Sequence, residues 1–258
     1  MIFSIAELES QIGAFIWPLF RISAIVIAMP LFGSRLLPSR LKVVLAVALT
    51  LAIAPHIPPI EHVEMFSVNG GIVAVQQVFI GLAMGFALQL VFSVFVLGGQ
   101  IIALTMGLGF ASLNDPITGV SVPTVSQFYT IFVTLLFLAM NGHLIMIDVM
   151  AKSFVDLPVA EVGFGSEAVW MLLSWSKYIF SGAVLMALPA MAALLLVNIG
   201  FGVMTRAAPQ LNIFAIGFPV IMTIGFVILM LSLPSTIPLF ESLLDSNYEL
   251  MRAMLGAR

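Results

Sequence analysis

The sequence predicts an all-α, membrane-associated fold, and three observations carry that prediction. Of 258 residues, 62% are hydrophobic and only 8% charged, with a mean hydropathy of +1.20; a soluble domain carries about 25% charged residues because its whole surface faces water. The run from Met65 to Asn114 holds no Asp, Glu, Lys or Arg at all, so aqueous solvent is not its neighbour. The apolar stretches are rich in Leu, Ala and Met and show no sustained alternation, which favours helices over strands.

A bilayer-crossing helix needs about 20 apolar residues. Charge-poor runs bounded by turn signals give six apolar segments, at 11–31, 41–57, 71–104, 124–150, 169–203 and 213–240. The first follows Glu7 and Glu9, where a signal peptide would carry Lys or Arg, so it is expected to stay in the mature chain. It also carries Arg21, which at a helix centre costs about 2.5–3.5 kcal/mol on insertion scales and is therefore expected to face protein, a cavity or an interface. Between the first two segments, Gly33 to Lys42 holds Arg35, Arg40 and Lys42, which the positive-inside rule places in the cytoplasm. Glu61 and Glu64 then lie outside, and continued alternation puts Asp156, Glu161 and Glu167 outside, Arg206 inside and both termini outward.

The third segment, 71–104, would run about 50 Å as one helix, against a hydrocarbon core near 30 Å. The fifth, 169–203, is as long and contains Pro189. Each is expected either to be broken or to have its apolar surface covered by protein. Along the third segment Gln89, Ser93 and Gln100 return to one helical stripe. Gly81 and Gly85 make a GxxxG pair, and Gly99, Ala103 and Gly107 continue a small-residue series. The stripe reads as amide cross-links in close helix packing, or as the lining of a wet passage.

Thr105 to Pro123 joins the third and fourth segments. Its glycines permit positive φ and its prolines stop a helix, so irregular backbone is expected. Yet it holds Leu108, Phe110, Leu113, Ile117 and Val120. Irregular apolar chain at membrane depth is tolerated inside protein or along a cavity, which makes this a re-entrant plug or, alternatively, an apolar loop on the membrane surface. In the fourth segment Asp148 is expected at an interface and His143 as a packed, hydrogen-bonded residue. The fifth and sixth segments flank the turn around Arg206.

Several chemistries find no residues. A net charge of −3 offers no basic field for nucleic acid. There is no cysteine, and His56, His62 and His143 are too far apart in sequence for a metal-ligand pair on one helix, so no metal or other cofactor is expected. Ser181-Gly182 lacks the preceding glycine of a nucleophile elbow, and neither HExxH nor a phosphate-binding glycine loop occurs, so the chain is expected not to be an enzyme.

The stretch Thr205-Arg206-Ala-Ala-Pro209-Gln210-Leu-Asn212-Ile-Phe214-Ala-Ile-Gly217-Phe-Pro219, between two long apolar helices, resembles the signature of the FliR family of flagellar type III export-gate proteins. Arg21, the basic loop Gly33 to Arg40, Met106-Gly107-Leu108-Gly109-Phe110-Ala with Asp115-Pro116, and Asn141-Gly-His-Leu144 agree in order, so the resemblance covers nearly the whole chain. The family has an injectisome branch; the wording Phe214 to Pro219 looks more like the flagellar one. The resemblance implies one subunit over 1–258, with a FliP-like part at about 1–165 and a FliQ-like part at 166–258. It implies partly broken hairpins packed into a helical gate with FliP and FliQ, wrapped by FlhB and served by FlhA. Unfolded flagellar proteins would cross the bacterial inner membrane there, at the flagellar basal body. It also maps the family's plug onto about Met106 to Val122, where Met106, Leu108 and Phe110 are suited to dewet a constriction. Arg206, Pro209, Gln210, Asn212, Phe214 and Pro219 are expected to serve assembly or gating. The competing reading is a secondary transporter for a small solute, supported by the long segments and the amide stripe.

Overall fold

The computed structural model describes the backbone of residues 5–34, 37–59, 63, 67–108, 124–159, 164–207 and 213–256, with side chains from residue 12 onward except at 213–216. Among these residues every regular element is a helix, and there is no strand. The helices are α1 (Ile5–Ala28), α2 (Ser39–Ile53, extended by a 3-10 turn Ala54–His56), α3 (Val68–Thr105), α4 (Thr124–Ala139), α5 (Gly142–Asp156), α6 (Ser166–Trp175), α7 (Lys177–Ala207) and α8 (Ile213–Met254).

Each of the six apolar segments lies on helix, but they are not equal as spans. Ser39–His56, Val68–Thr105, Ser166–Ala207 and Gly217–Met254 are long and apolar enough to cross a membrane, and α4 with α5 makes a fifth candidate if that bent pair is one span. The apolar part of α1, Ile12–Ala28, is a shorter helix. Alternation over six crossings, with both termini on one side, therefore does not carry over by length and composition.

The two over-long segments resolve differently. α3 is one unbroken helix of 38 residues, and 67% of its apolar window is buried by the chain itself, against 17% for α2 and for the window in α8. The chain covers the most apolar stretch of α3, and no break is needed. The fifth segment is interrupted, at Ser176 and not at Pro189. There the Ser176 N–H reaches back to the Leu173 carbonyl at 3.1 Å in a tightened turn, while α7 continues through Pro189. Losing one N–H inside an apolar helix is compensated locally more readily than opening the chain in that setting.

Two compact units divide the chain: residues 1–90, 137–176 and 244–258 in the first, and 91–136 with 177–243 in the second. In the first, α1 crosses α3 at the GxxxG pair. A Cβ at Gly81 would run into the Arg21 carbonyl, and one at Gly85 into Ala28, so the glycines set how closely the two helices approach. Near the C-terminus Asn247 donates to the Ala87 carbonyl (2.8 Å) and Trp175 to Ser246 (3.2 Å), tying the end of α8 to α3 and α6. In the second unit Phe240 packs edge-on against Phe92 and Phe95, with centroids 6.0 and 5.5 Å away. Gly99 of α3 lies against the Ser126 backbone, and the Ser126 hydroxyl donates to the Val96 carbonyl at 3.0 Å.

The chain breaks between α4 and α5. Asn141 makes the break, with φ of 56° in the left-handed region that asparagine tolerates better than most residues. Gly142 follows because a Cβ there would enter the Phe137 ring, and its carbonyl accepts from the Tyr248 hydroxyl at 3.2 Å. Gly142→Ala is expected to cost about 1–3 kcal/mol by overpacking, read as a lower midpoint of thermal unfolding in detergent. An unchanged midpoint would mean that Phe137 moves aside freely.

Candidate functional site

The residues singled out by the sequence fall at three places: a buried guanidinium, the C-terminal end of α3, and the ends of α7 and α8 on either side of 208–212.

Arg21 has no exposed surface. Its Nε donates to Gln77 Oε1 (2.8 Å), Nη1 to the Ser153 carbonyl (2.6 Å) and hydroxyl (3.2 Å), and Nη2 to the Leu157 carbonyl (2.9 Å). The guanidinium carbon lies 4.2 Å from the centroid of the Phe154 ring. Ser153 and Leu157 stand at the C-terminal end of α5, where the macrodipole is negative and the Ser153 carbonyl, which also accepts the Leu157 N–H at 3.1 Å, has a second lone pair to offer. Arg21 thus caps α5 from α1, and its charge is balanced by carbonyl dipoles and a ring face. Among the described residues no carboxylate pairs with it; the ion pair present there is Lys152–Asp148, an exposed i,i+4 pair at 2.7 Å. Asp148, expected at an interface, lies exposed in that pair. His143 was expected to be hydrogen-bonded, but its buried Nδ1 has no partner.

At the end of α3, Met106 is fully buried and packs against Gly225 of α8, where a Cβ would meet its side chain at 2.7 Å. Gly107 has φ of +80°, its N–H bonds to the Leu104 carbonyl (3.1 Å), and the Leu108 N–H bonds to the Ala103 carbonyl (3.0 Å). This is a Schellman cap, which needs a left-handed residue after the helix and is best met by glycine. Gly107 therefore terminates α3, whereas the small-residue series reads it as packing. Leu108 is half-buried. Gly109, Phe110, Leu113, Asp115, Pro116, Ile117 and Val120 lie outside the described residues.

Arg206 is exposed in the last turn of α7, and Pro219 is exposed in α8. The Pro219 carbonyl accepts from the Thr223 hydroxyl at 2.8 Å. Pro209, Gln210 and Asn212, and the side chain of Phe214, fall outside the described residues. Gln89, Ser93 and Gln100 are each half-buried on α3. Gln89 lines an apolar groove of about 420 Å³ with Phe79, Leu82, Phe86 and Leu172. Sequence reasoning missed Gln77, the amide that reads Arg21, because nothing local separates it from Gln76 beside it.

Among the described residues no three His, Asp or Glu side chains stand close enough to hold a metal ion. The Ser181 hydroxyl bonds back to the Lys177 carbonyl of its own helix (3.4 Å), without an adjacent base. What this arrangement supplies is rigid apolar helix surface, a closely set helix terminus and buried polar ties.

Residues 12–247 match the family model described as bacterial export proteins, family 1. The chain is 36% identical to the flagellar biosynthetic protein FliR of Pectobacterium carotovorum subsp. carotovorum, covering 96% of this chain and 95% of that protein. It is also 36% identical to the same-named protein of Escherichia coli strain K12, over 96% of this chain and 94% of the other. With the flagellar biosynthetic protein FliR of Bacillus subtilis strain 168 the identity is 28%, over 94% and 95%.

Proposed function

The chain belongs to the FliR family, family 1 of the bacterial export proteins, and is a membrane-embedded component of flagellar protein export; from this we propose that it is a non-enzymatic subunit of the export gate in the inner membrane. It forms with FliP and FliQ, beside FlhB and FlhA, the channel for unfolded flagellar proteins. Residues 1–165 act as its FliP-like part and 166–258 as its FliQ-like part. The apolar segment beginning at Met106 closes the channel.

The observation that carries this reading is the way α3 ends. A long helix stops at the left-handed Gly107 on a cap completed by Leu108, which gives a plug the anchored stem it requires. A second support is the exposed apolar surface of α7 and α8, where Phe180, Leu196, Met230 and Leu231 are each more than two-thirds exposed. Helices with such faces need lipid or protein partners. The small-solute transporter has no comparable support, since the buried cation is fully engaged by Gln77 and the end of α5.

The test is co-expression. A tagged chain produced with FliP and FliQ is expected to yield one stable complex and to restore flagellin export in a deletion strain; alone, it is expected to aggregate or be degraded. Abundant, monodisperse chain recovered without partners would overturn the assembly reading.

The Arg206 turn serves assembly or gating through a planar, multi-donor contact. Arg206→Lys keeps the charge and removes the fork, so it is expected to reduce complex yield or export by several-fold. Full motility and normal yield would show that Arg206 acts only as a cytoplasmic anchor, which any cation supplies.

A further inference from the structure

We propose that the groove between α1 and α2 holds the acyl chain of an anionic phospholipid, whose headgroup phosphate pairs with Lys42. The groove encloses about 360 Å³, within the range of small-ligand sites. Its apolar walls are Leu19 and Ile27 from α1 and Val43 and Val47 from α2, with Ser23, Ser39 and Lys42 as its polar residues. Spacings of three and four residues place each set on one helix face. Ser39 to Val47 covers about 12 Å of helix, so the walls run along an acyl chain and not around a point.

Two features select a lipid over other occupants. α2 is a candidate span with only 17% of its apolar window buried, and Val43 and Ile27 are 63% and 59% exposed, so the groove opens on an apolar face that the chain itself leaves uncovered. Charge is complementary to an anionic amphiphile: Lys42 and the exposed Arg40 both sit in the first turn of α2, at one end of an otherwise apolar trough. Lys42 donates one hydrogen bond, to the Gly33 carbonyl at 2.9 Å, and an ammonium has three donors. Among the described residues neither cation meets a carboxylate. A partner helix seated in the groove would leave the two cations without a counter-charge unless it brought its own.

The inference stands on the membrane placement of α2 and not on the export reading. The full chain, in whatever complex it purifies with, is reconstituted into phosphatidylcholine nanodiscs containing a minor fraction of phosphatidylglycerol with a photoactivatable group in its acyl chain. Adducts are mapped by mass spectrometry. They are expected on residues 19–27 and 43–47, and to fall about fivefold in Lys42→Gln, the factor that about 1 kcal/mol per basic residue at an anionic surface corresponds to. Val43→Trp, which fills the trough from an exposed position, is expected to remove them with headgroup charges intact. Equal labelling by a phosphatidylcholine probe, labelling indifferent to both variants, or crosslinks from this face to a protein segment in place of lipid would each overturn the proposal. Flagellin export measured on the same variants is independent: normal export with no lipid adduct overturns the groove alone.

Discussion

Arg21→Met is expected to be the most destabilising single substitution in the described part of the chain, by about 3–5 kcal/mol, the range for breaking a buried ionic network by removing one partner. The guanidinium is wholly enclosed and joins α1 to α3 through Gln77 and to the end of α5 through Ser153 and Leu157. Methionine fits the space but takes the guanidinium away from the Gln77 amide oxygen and the Leu157 carbonyl, each costing about 1–3 kcal/mol when unsatisfied, while the Ser153 carbonyl keeps the Leu157 N–H. Arg21→Lys keeps the charge and stem, yet a single ammonium does not reproduce a fork that spans Gln77 and both ends of the Ser153 to Leu157 turn; an intermediate loss is expected. Thermal unfolding in detergent and steady-state level in membranes measure both. Wild-type stability of the methionine variant would show that α5 is held by packing alone.

Deleting part of the segment that follows Gly107 is expected to raise ion leakage across the inner membrane while the complex still assembles. On the proposed reading the stretch fills a passage and holds no helices together: apolar side chains are suited to exclude water, and Asp115-Pro116 is suited to start a compact turn. The deletion should begin after Leu108, because Gly107 and Leu108 complete the cap of α3 and Met106 packs on Gly225; removing them would disturb the second unit and confuse leak with misfolding. Growth at high salt and single-channel conductance of the purified complex give the readout. Unchanged conductance in a correctly assembled deletion complex would end the plug assignment, leaving membership of the export apparatus untouched.

Helices were the legible part of this molecule. Uninterrupted apolar runs in a chain with 8% charged residues leave the backbone no solvent to bond with, and helix formation answers that within each segment. Where helices stop was less legible. Glycine in a helical series can pack a neighbour or end the helix, and the sequence pattern is the same for both: Gly81 and Gly85 do the first against α1, Gly107 does the second. Proline misled in the other direction, since Pro189 lies within α7 while an unremarkable Ser176 marks the interruption.

Desolvation made one conclusion about Arg21 available without any structure: a cation among apolar residues must find compensating partners. Which partners they are was a tertiary matter. Gln77 lies 56 residues away, and the Ser153 and Leu157 carbonyls lie 132 and 136 away. A backbone carbonyl carries no sequence signature, because every residue has one. The sequence by itself determined that this chain is helical and apolar, through the burial cost of each charge it carries or omits. The tertiary structure alone decided which helix end receives the buried charge, which glycines are contacts and which are stops, and that α3 is covered by its own chain, because each depends on which surfaces meet across long separations and not on the composition of any one segment.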